Sequence, residues 1–204
     1  MVQVSKLTFS EEEFEALRNR RFFELKKSVT ASIMNEFSFL EESIRSEAGK
    51  KENADLSLPP TSGKIFRGEN YKGFPYIVLD FPRAFSSRDV FAFRSMFWWG
   101  TGFSFTLHLQ GESLERHREA LLKNGESLRG AGFLFCINST PWEYHFGDDN
   151  YVSLDDFTGE ELDERLRKAT FIKLCRKLES EQYPEIISYG TESFVLLMQQ
   201  LRNR

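Results

Sequence analysis

The sequence predicts an α+β fold in which helices from both ends of the chain pack against an antiparallel sheet of about five strands. Helical periodicity is concentrated near the two ends, whereas the middle of the chain alternates between apolar and polar residues. Segregation of helices and strands along the chain is typical of this class. The 204 residues can form one sizeable core, so we expect a single domain over residues 1–204.

The first element is a helical segment over residues 9–47, where Ser10 and Glu13 fit a capping box. An apolar stripe with spacings of three and four follows, formed by Leu25, Val29, Ile33, Phe37, Leu40 and Ile44. We expect the stripe to pack into the protein's own core, and a partner-binding face is the alternative. Residues 48–64 are polar and contain Pro59-Pro60, which indicates a connector without helix.

The sheet-rich part is expected over residues 65–154. Residues 65–73 are glycine-containing and polar, which indicates a turn. A strand over residues 76–81 follows, and we expect it to end at Pro82, because proline cannot donate a ladder hydrogen bond. Three later strands are expected at residues 130–138, 142–146 and 151–154.

The stretch from Val90 to Gln110 predicts the central hairpin. Its second strand alternates Phe103, Phe105, Leu107 and Leu109 with Ser104, Thr106, His108 and Gln110. A three-residue loop over residues 100–102 keeps apolar residues on one face, and Gly102 supplies the left-handed conformation that such loops need. The cross-strand pairs predicted for the other face are Arg94 with His108, Met96 with Thr106, and Trp98 with Ser104.

Helices complete the predicted fold. One is expected over residues 113–123, capped by its first residue and carrying an exposed His117. Residues 158–204 are expected to be helical, starting with a capping box at Thr158 and continuing with a buried stripe to Leu178. A terminal helix is expected over residues 191–201 after the break at Pro184.

Composition narrows the class of protein. The net charge of −4 leaves no basic footprint, so nucleic acid is not an expected partner. Two cysteines are too few for a disulfide framework and favour a reducing compartment. The N-terminus becomes charged without an apolar stretch, and no apolar run could span a bilayer. We expect a soluble cytoplasmic protein with no membrane partner and, from its 21 Phe, a phenylalanine-rich core.

The polar faces of the predicted strands indicate a candidate binding site. The candidate ligand-binding residues are Asp80, Arg94, Trp98, Ser104, Thr106 and His108. Tyr76, Cys136, Glu143 and His145 are expected on the same face. Large apolar residues mixed with charged ones resemble the lining of a pocket, and a solvated or helix-covered sheet face is the alternative. The Arg94 guanidinium is expected to lower the pKa of His108, so that this histidine is neutral at pH 7.

No motif defines a reaction. Cys136 lies in the apolar run FLFCIN, which favours an inert buried thiol over a nucleophile. His108, Glu143 and His145 are metal-ligand types but lack zinc-site spacing, so no metal is expected. The fingerprints of dinucleotide binding, of serine hydrolases and of metalloproteases are missing from the sequence, and no cofactor is expected.

Two functional hypotheses remain. The first is a non-catalytic module that binds a small molecule or a protein through the polar-aromatic face of the central hairpin. The alternative is a small hydrolase-like enzyme for an anionic substrate, with Asp80, Arg94 and His108 in its site and Arg94 as the anchor. Loss of turnover with retained binding in a His108→Ala variant would favour the enzyme.

Overall fold

The computed structural model describes residues 8–56, 58–59 and 62–202 and confirms the α+β class. The strands are β1 (Lys64–Tyr71), β2 (Phe74–Phe85), β3 (Val90–Trp98), β4 (Gly102–Gln110), β5 (Phe133–Cys136), β6 (Tyr151–Ser153) and β7 (Phe171–Leu178). The helices are α1 (Glu11–Arg18), α2 (Arg20–Ala48), α3 (Glu112–Asn124), α4 (Gly159–Lys168) and α5 (Ile186–Gln200). In the described residues, seven strands rather than five form one antiparallel sheet in the order β1-β2-β3-β4-β7-β5-β6.

A phenylalanine-rich core lies between one face of the sheet and the helices α2, α3 and α5. Its fully buried phenylalanines include Phe37, Phe93, Phe103, Phe105, Phe133 and Phe194. The rings of Phe93 and Phe194 meet edge to face with centroids 5.4 Å apart, which joins β3 to α5. Gly190 lets α5 approach closely, because a Cβ there would lie 2.6 Å from the Phe105 ring. Truncating any of these rings to alanine is expected to cost about 3–5 kcal/mol.

The predicted N-terminal helical segment is confirmed, with an interruption at Asn19. The capping box forms, since Ser10 Oγ accepts from the Glu13 amide at 3.2 Å and Glu13 Oε2 accepts from the Ser10 amide at 2.7 Å. Asn19 has a non-helical ψ of 71° and caps α2 through its side chain. The apolar stripe is core only from Ile33 onward, whereas Leu25 lies exposed on the same helix. The prediction of one continuous core stripe is therefore wrong for its first two residues, Leu25 and Val29.

The connector and the first strands differ from the prediction. Part of the predicted connector is a 3-10 helix over Lys51–Leu56, and its Leu56 is buried. Three other residues of the connector, Ser57, Pro60 and Thr61, lie outside the described residues, as does the N-terminal segment 1–7. The turn predicted over residues 65–73 is instead most of β1. Pro82 does not end β2, because the pairing with β3 shifts register between Asp80 and Arg83 and so accommodates a residue without an amide proton.

The central hairpin has the predicted loop length but a different register. The loop consists of Trp99, Gly100 and Thr101, and Trp98 pairs with Gly102. Every predicted pair is therefore displaced by two residues: Arg94 faces Thr106, Met96 faces Ser104, and His108 faces Ala92. A displacement of two keeps each side chain on its predicted face, because strand side chains alternate with a period of two. Gly102 has no room for a Cβ, which would lie 2.7 Å from the backbone oxygen of Leu178.

Two predicted elements in the second half of the chain are wrong. Residues 142–146 form no strand and belong to a long loop between β5 and β6. The helix that begins at Thr158 ends at Lys168, and Phe171–Leu178 form β7, which pairs with β4 in the middle of the sheet. The apolar residues of this segment fit a strand as well as a helix. Residues four apart lie on the same face of a helix, because four residues are about one turn, and also on the same face of a strand, because strand side chains alternate with a period of two.

The helix after the hairpin also differs from the prediction. α3 is capped from outside, because the Asp89 carboxylate accepts from both the amide (2.6 Å) and the hydroxyl (3.0 Å) of Ser113. His117 is buried rather than exposed, with Nδ1 3.4 Å from the Leu201 carbonyl oxygen.

Candidate functional site

The face of the sheet turned away from α2 and α5, here called the polar face, carries all six predicted site residues. Register places Asp80, Arg94, Thr106 and Cys175 side by side on β2, β3, β4 and β7. Ser104, His108 and Trp98 lie on the same face in neighbouring rows, as strand alternation requires. The shared orientation assumed from the sequence is therefore correct for these strands.

Asp80 and Arg94 bind each other rather than leaving a free charge. Arg94 Nε donates to Asp80 Oδ1 at 2.7 Å and Nη2 donates to Oδ2 at 2.8 Å, which is a bidentate pair. The side chains are only 5% (Asp80) and 15% (Arg94) exposed. Nη1 donates to the Tyr144 hydroxyl at 2.7 Å, and the guanidinium lies over the Tyr144 ring. Arg94 is thus held rigidly, with its charge balanced.

His108 is buried beneath aromatic rings. Its ring centroid lies 5.6 Å from that of Trp142 and 6.2 Å from that of Phe171. Burial, followed by the nearby cations Lys173 and Arg94, lowers the pKa of His108 to about 3. The sequence also predicted a lowered pKa for His108, but it assigned the shift to Arg94, whereas burial is the main cause. Within the described residues His108 Nε2 has no hydrogen-bond partner.

The polar face is covered by the loop over residues 137–150, so it is neither solvated nor covered by a helix. Lys173 Nζ donates to the Glu143 carbonyl oxygen at 2.5 Å and lies 4.0 Å from the centre of the Tyr144 ring. The Tyr71 hydroxyl of β1 accepts from the Tyr144 amide at 2.6 Å and donates to Glu143 Oε2 at 2.9 Å. These contacts hold the middle of the loop against the sheet.

Lys173 is a site residue that the sequence interpretation missed. Its side chain is fully buried, and no carboxylate of the described residues forms an ion pair with it. Burial lowers the pKa of this amine to about 8. A lysine inside the apolar run FIKLCRKL was the available signal, but the run was interpreted as helical, which placed the lysine on a solvated face.

A cavity of about 220 Å³ lies beside Arg94, where the loop leaves part of the polar face uncovered. Its lining residues are Phe66, Tyr71, Tyr76, Val78, Arg94, Met96, Trp142 and Tyr144. Of the six predicted site residues, only Arg94 reaches it. Trp98 does not line the cavity but contacts one of its lining residues, since Trp98 Nε1 donates to the Tyr71 carbonyl oxygen at 3.2 Å. Asp80, Ser104, Thr106 and His108 are buried away from the cavity.

A larger cleft of about 710 Å³ lies between the end of β5 and α4, away from the predicted site residues. We favour the smaller cavity because it is more enclosed and because it lies on the polar face beside Arg94. Cys136 lies in this cleft, where burial raises the pKa of its thiol. Its Sγ lies 3.5 Å from Asn150 Oδ1, and no bond joins it to a histidine.

The remaining candidate chemistry is dispersed. His145 is held between two carboxylates: its Nδ1 lies 3.1 Å from Glu143 Oε2 and its Nε2 lies 2.9 Å from Asp149 Oδ1. Within the described part of the chain, no three His, Cys, Asp or Glu side chains are grouped so that they could hold a metal ion. His108 is not bonded to a hydroxyl or thiol there, so these residues present no nucleophile-base pair around it.

Comparison of the chain with models of known protein families, with curated proteins and with solved structures finds no match. Among the helices of the described residues, none combines the length and apolar character needed to cross a membrane. The geometry of the polar face and its cavity therefore carries the functional argument.

Proposed function

We propose that this protein is a binding module for a small planar aromatic compound that carries a hydrogen-bond acceptor. The observation that carries the proposal is the aromatic cavity with the fixed Arg94 guanidinium in its wall. Enclosed sites that are mostly apolar, with a few fixed polar groups, are typical of small-molecule binding.

The volume supports a ligand of one ring. A cavity of about 150 Å³ is enough to bind benzene, and the cavity beside Arg94 measures about 220 Å³. One aromatic ring with a small substituent therefore matches the available space. Drug-sized ligands occupy roughly 300–1,000 Å³ and would not fit without movement of the loop.

The lining supports an aromatic ligand. Tyr71, Tyr76 and Tyr144 bring three rings to the cavity, and Phe66 brings a fourth. Edge-to-face or offset contacts with such rings contribute about 0.5–1.5 kcal/mol each beyond the burial of area. Since Tyr71 already packs edge to face on Tyr76 and Tyr144, the walls need little rearrangement to receive a ligand.

The N–H groups of Arg94 favour a ligand that carries a hydrogen-bond acceptor. A guanidinium has five N–H donors, and Arg94 uses three of them, two on Asp80 and one on Tyr144. The two that remain can donate to a carbonyl or carboxylate oxygen. Because Asp80 balances the charge, we expect the hydrogen bond rather than net charge to select the ligand.

Titration with four probes tests the proposal: benzamide, benzoate, benzylamine and cyclohexanecarboxamide. Benzamide and benzoate are expected to bind. Benzylamine is expected not to bind, because its ammonium group offers Arg94 no hydrogen-bond acceptor, and cyclohexanecarboxamide is expected to bind more weakly because its ring is not aromatic. Trp142 lines the cavity and is 53% exposed, so its fluorescence reports binding. Equal binding of all four probes, or no binding of benzamide and benzoate, would refute the proposal.

Variants locate the site. Trp142→Ala removes one wall at a half-exposed loop position, although it also uncovers the edge of His108. It is expected to weaken benzamide binding about tenfold, which corresponds to about 1.4 kcal/mol. Phe39→Ala is the matched control, because Phe39 is 48% exposed on α2 and lies outside the cavity. Since Trp142 is lost in one variant, binding is compared by NMR shifts of the tyrosine rings.

The geometry gives less support to the alternative hydrolase. Asp80 and Arg94 occupy each other, and His108 is covered by Trp142 and Phe171. The alternative stays a prediction, for which turnover lost in His108→Ala with benzamide binding retained is the test. The cytoplasmic location is likewise part of the proposal and is supported by two cysteines that are free and buried.

A further inference from the structure

Residues 8–32, here called the N-terminal arm, form a helical surface that the rest of the described chain does not bury. α1 has no buried residue, and burial within α2 begins at Ile33. The apolar side chains of the arm, which are between 38% and 62% exposed, are Phe9, Phe14 and Leu17 before the break and Phe22, Phe23, Leu25 and Val29 after it. Several large apolar side chains exposed together mark an interaction surface.

The sequence specifies the arm as helix even though it lacks packing. Ser10 and Glu13 form a complete capping box, and Asn19 Oδ1 accepts from the Phe22 amide at 2.9 Å to restart the helix. Isolated helices of this length are marginal in water, because most helical stability comes from packing an apolar face. A capped helix with unburied phenylalanines therefore indicates a missing packing partner.

The exposed surface continues onto the body of the protein. A groove of about 480 Å³ runs between α2 and the tip of the central hairpin, next to Val29. The apolar lining of this groove is formed by Val29, Ile33, Phe97, Trp99, Phe103 and Tyr183. The arm and the groove, which meet at Val29, are here together called the apolar strip.

We propose that the arm pairs with the arm of a second copy of this chain in an antiparallel, two-fold arrangement. The charge pattern carries the choice of partner. α1 has four Glu and one Arg, a net charge of −3. Residues 20–27 have four basic residues and one Glu, a net charge of +3, which becomes +2 because Lys26 is already paired with Glu69 of β1 at 2.8 Å. Antiparallel pairing places each acidic half against a basic half, and parallel pairing would place like charges together.

The size of the surface is sufficient for a dimer when the groove takes part. If each large apolar side chain offers about 150–200 Å², the arm exposes roughly 500–600 Å² of apolar area per copy. That area reaches the upper limit of the largest patch on a typical monomer, about 300–600 Å². A standard interface buries about 800 Å² per partner, a value that the arm and the groove together approach.

The first test is the mass of the full chain in solution over a wide concentration range, by sedimentation equilibrium. We expect a concentration-dependent dimer of the 23.8 kDa chain. Leu25→Glu is expected to weaken dimerisation at least tenfold, since it places a charge in the apolar strip. Phe39→Glu is the matched control, because Phe39 is similarly exposed on α2 but lies outside the arm. Circular dichroism and thermal melting check that both variants keep the folded body.

A charge-exchange experiment tests whether charge pairing between the arms holds the dimer. Glu12→Lys with Glu15→Lys makes both halves of the arm basic, and Arg20→Glu with Arg21→Glu makes both halves acidic. Each variant alone is expected to be monomeric, and an equal mixture of the two is expected to form a heterodimer. None of these residues takes part in a capping bond or touches the Arg94 cavity, so ligand binding should not change.

Several outcomes would overturn the proposal. A wild-type chain that stays monomeric at the highest concentration would do so, as would a dimer that Leu25→Glu leaves unchanged. Failure of the mixed variants to associate would show that opposite charges on the arms do not direct the pairing. A monomer that binds vesicles of anionic lipid through the arm would assign the strip to a membrane surface instead.

Discussion

Acidification is expected to unfold this protein because His108 accepts a proton only in the unfolded chain. The imidazole is buried among Trp142, Phe171 and the cations Lys173 and Arg94, and this environment lowers its pKa from 6.5 to about 3. Between these two values the unfolded chain binds one proton more than the folded chain. The folded chain is therefore not destabilised by His108 above pH 6.5, and its free energy of unfolding decreases as the pH falls from 6.5 toward 3.

The magnitude follows from the size of the shift. One pH unit below the unfolded pKa corresponds to about 1.4 kcal/mol for a single group. At pH 5 the loss is about 2 kcal/mol, and at pH 3 it is on the order of 4–5 kcal/mol. Stabilities of small domains are about 5–15 kcal/mol, so this one residue is expected to account for a large part of the acid sensitivity.

Urea unfolding at pH 7 and pH 5 measures the effect. In His108→Leu the loss of unfolding free energy between the two pH values is expected to be about 2 kcal/mol smaller than in the wild type. His117→Leu is the comparison variant, since burial also lowers the pKa of His117, which lies outside the polar face. It is expected to reduce the loss by less than His108→Leu does, because the pKa of His108 is lowered more strongly. The pH difference is compared rather than the stability itself, because either variant alters packing.

NMR titration of the histidine rings tests the cause. Lys173→Met is expected to raise the pKa of His108 only partly, because burial is the larger cause and the Lys173 cation the second. A His108 midpoint near 6.5 in the wild-type protein would refute the reasoning. So would an equal loss of stability between pH 7 and pH 5 in the wild type and in His108→Leu.

Three further predictions concern the contacts around the sheet. Arg94→Met leaves the Asp80 carboxylate buried without its partner and should cost about 3–5 kcal/mol in urea unfolding, whereas a cost below about 1 kcal/mol would show that the pair is not buried. Asp89→Ala removes the cap of α3 at Ser113 and should cost about 1–2 kcal/mol, and an unchanged thermal midpoint would contradict the capping role. Lys173 has a folded pKa of about 8 against 10.5 in the unfolded chain, so the unfolded chain binds the extra proton between these values. From pH 8 to about pH 9.5 this amine should therefore add about 1.6 kcal/mol to the stability, while the buried thiols of Cys136 and Cys175, whose pKa values are raised, act in the opposite direction. The change in stability over this range should be more favourable in the wild type than in Lys173→Met by that amount.

Local patterns in the sequence were sufficient for several elements of this fold. The capping boxes at Ser10 and Thr158 are statements about residues three apart, and both form. Alternation in Phe103–Gln110 predicted which side chains enter the core, since the period of a strand does not depend on its partner. The Arg94 and His108 side chains were placed on the correct face for the same reason.

The pairing of those strands could not be obtained in the same way. The predicted register differs from the observed one by two residues, and both alternatives keep Phe105 in the core and Arg94 on the polar face. The choice between them depends on the neighbour β7, whose backbone approaches Gly102 too closely for a side chain there. That contact joins residues far apart in the chain, so it leaves no local signal.

The sequence by itself determined the α+β class, the helix starts at Ser10 and Thr158 and the two faces of the central hairpin, because each follows from spacings within a few residues. The terminal helix begins at Ile186 rather than at the predicted residue 191. Only the tertiary structure decided that Phe171–Leu178 is a strand, since its apolar spacing satisfies both a helix and a strand until β4 and β5 pair with it. That pairing buries Lys173, and the loop over residues 137–150 then closes the polar face and leaves the cavity beside Arg94. The candidate site is thus formed by contacts between segments that are far apart in the chain, and the local pattern of one segment does not predict which other segment it will contact.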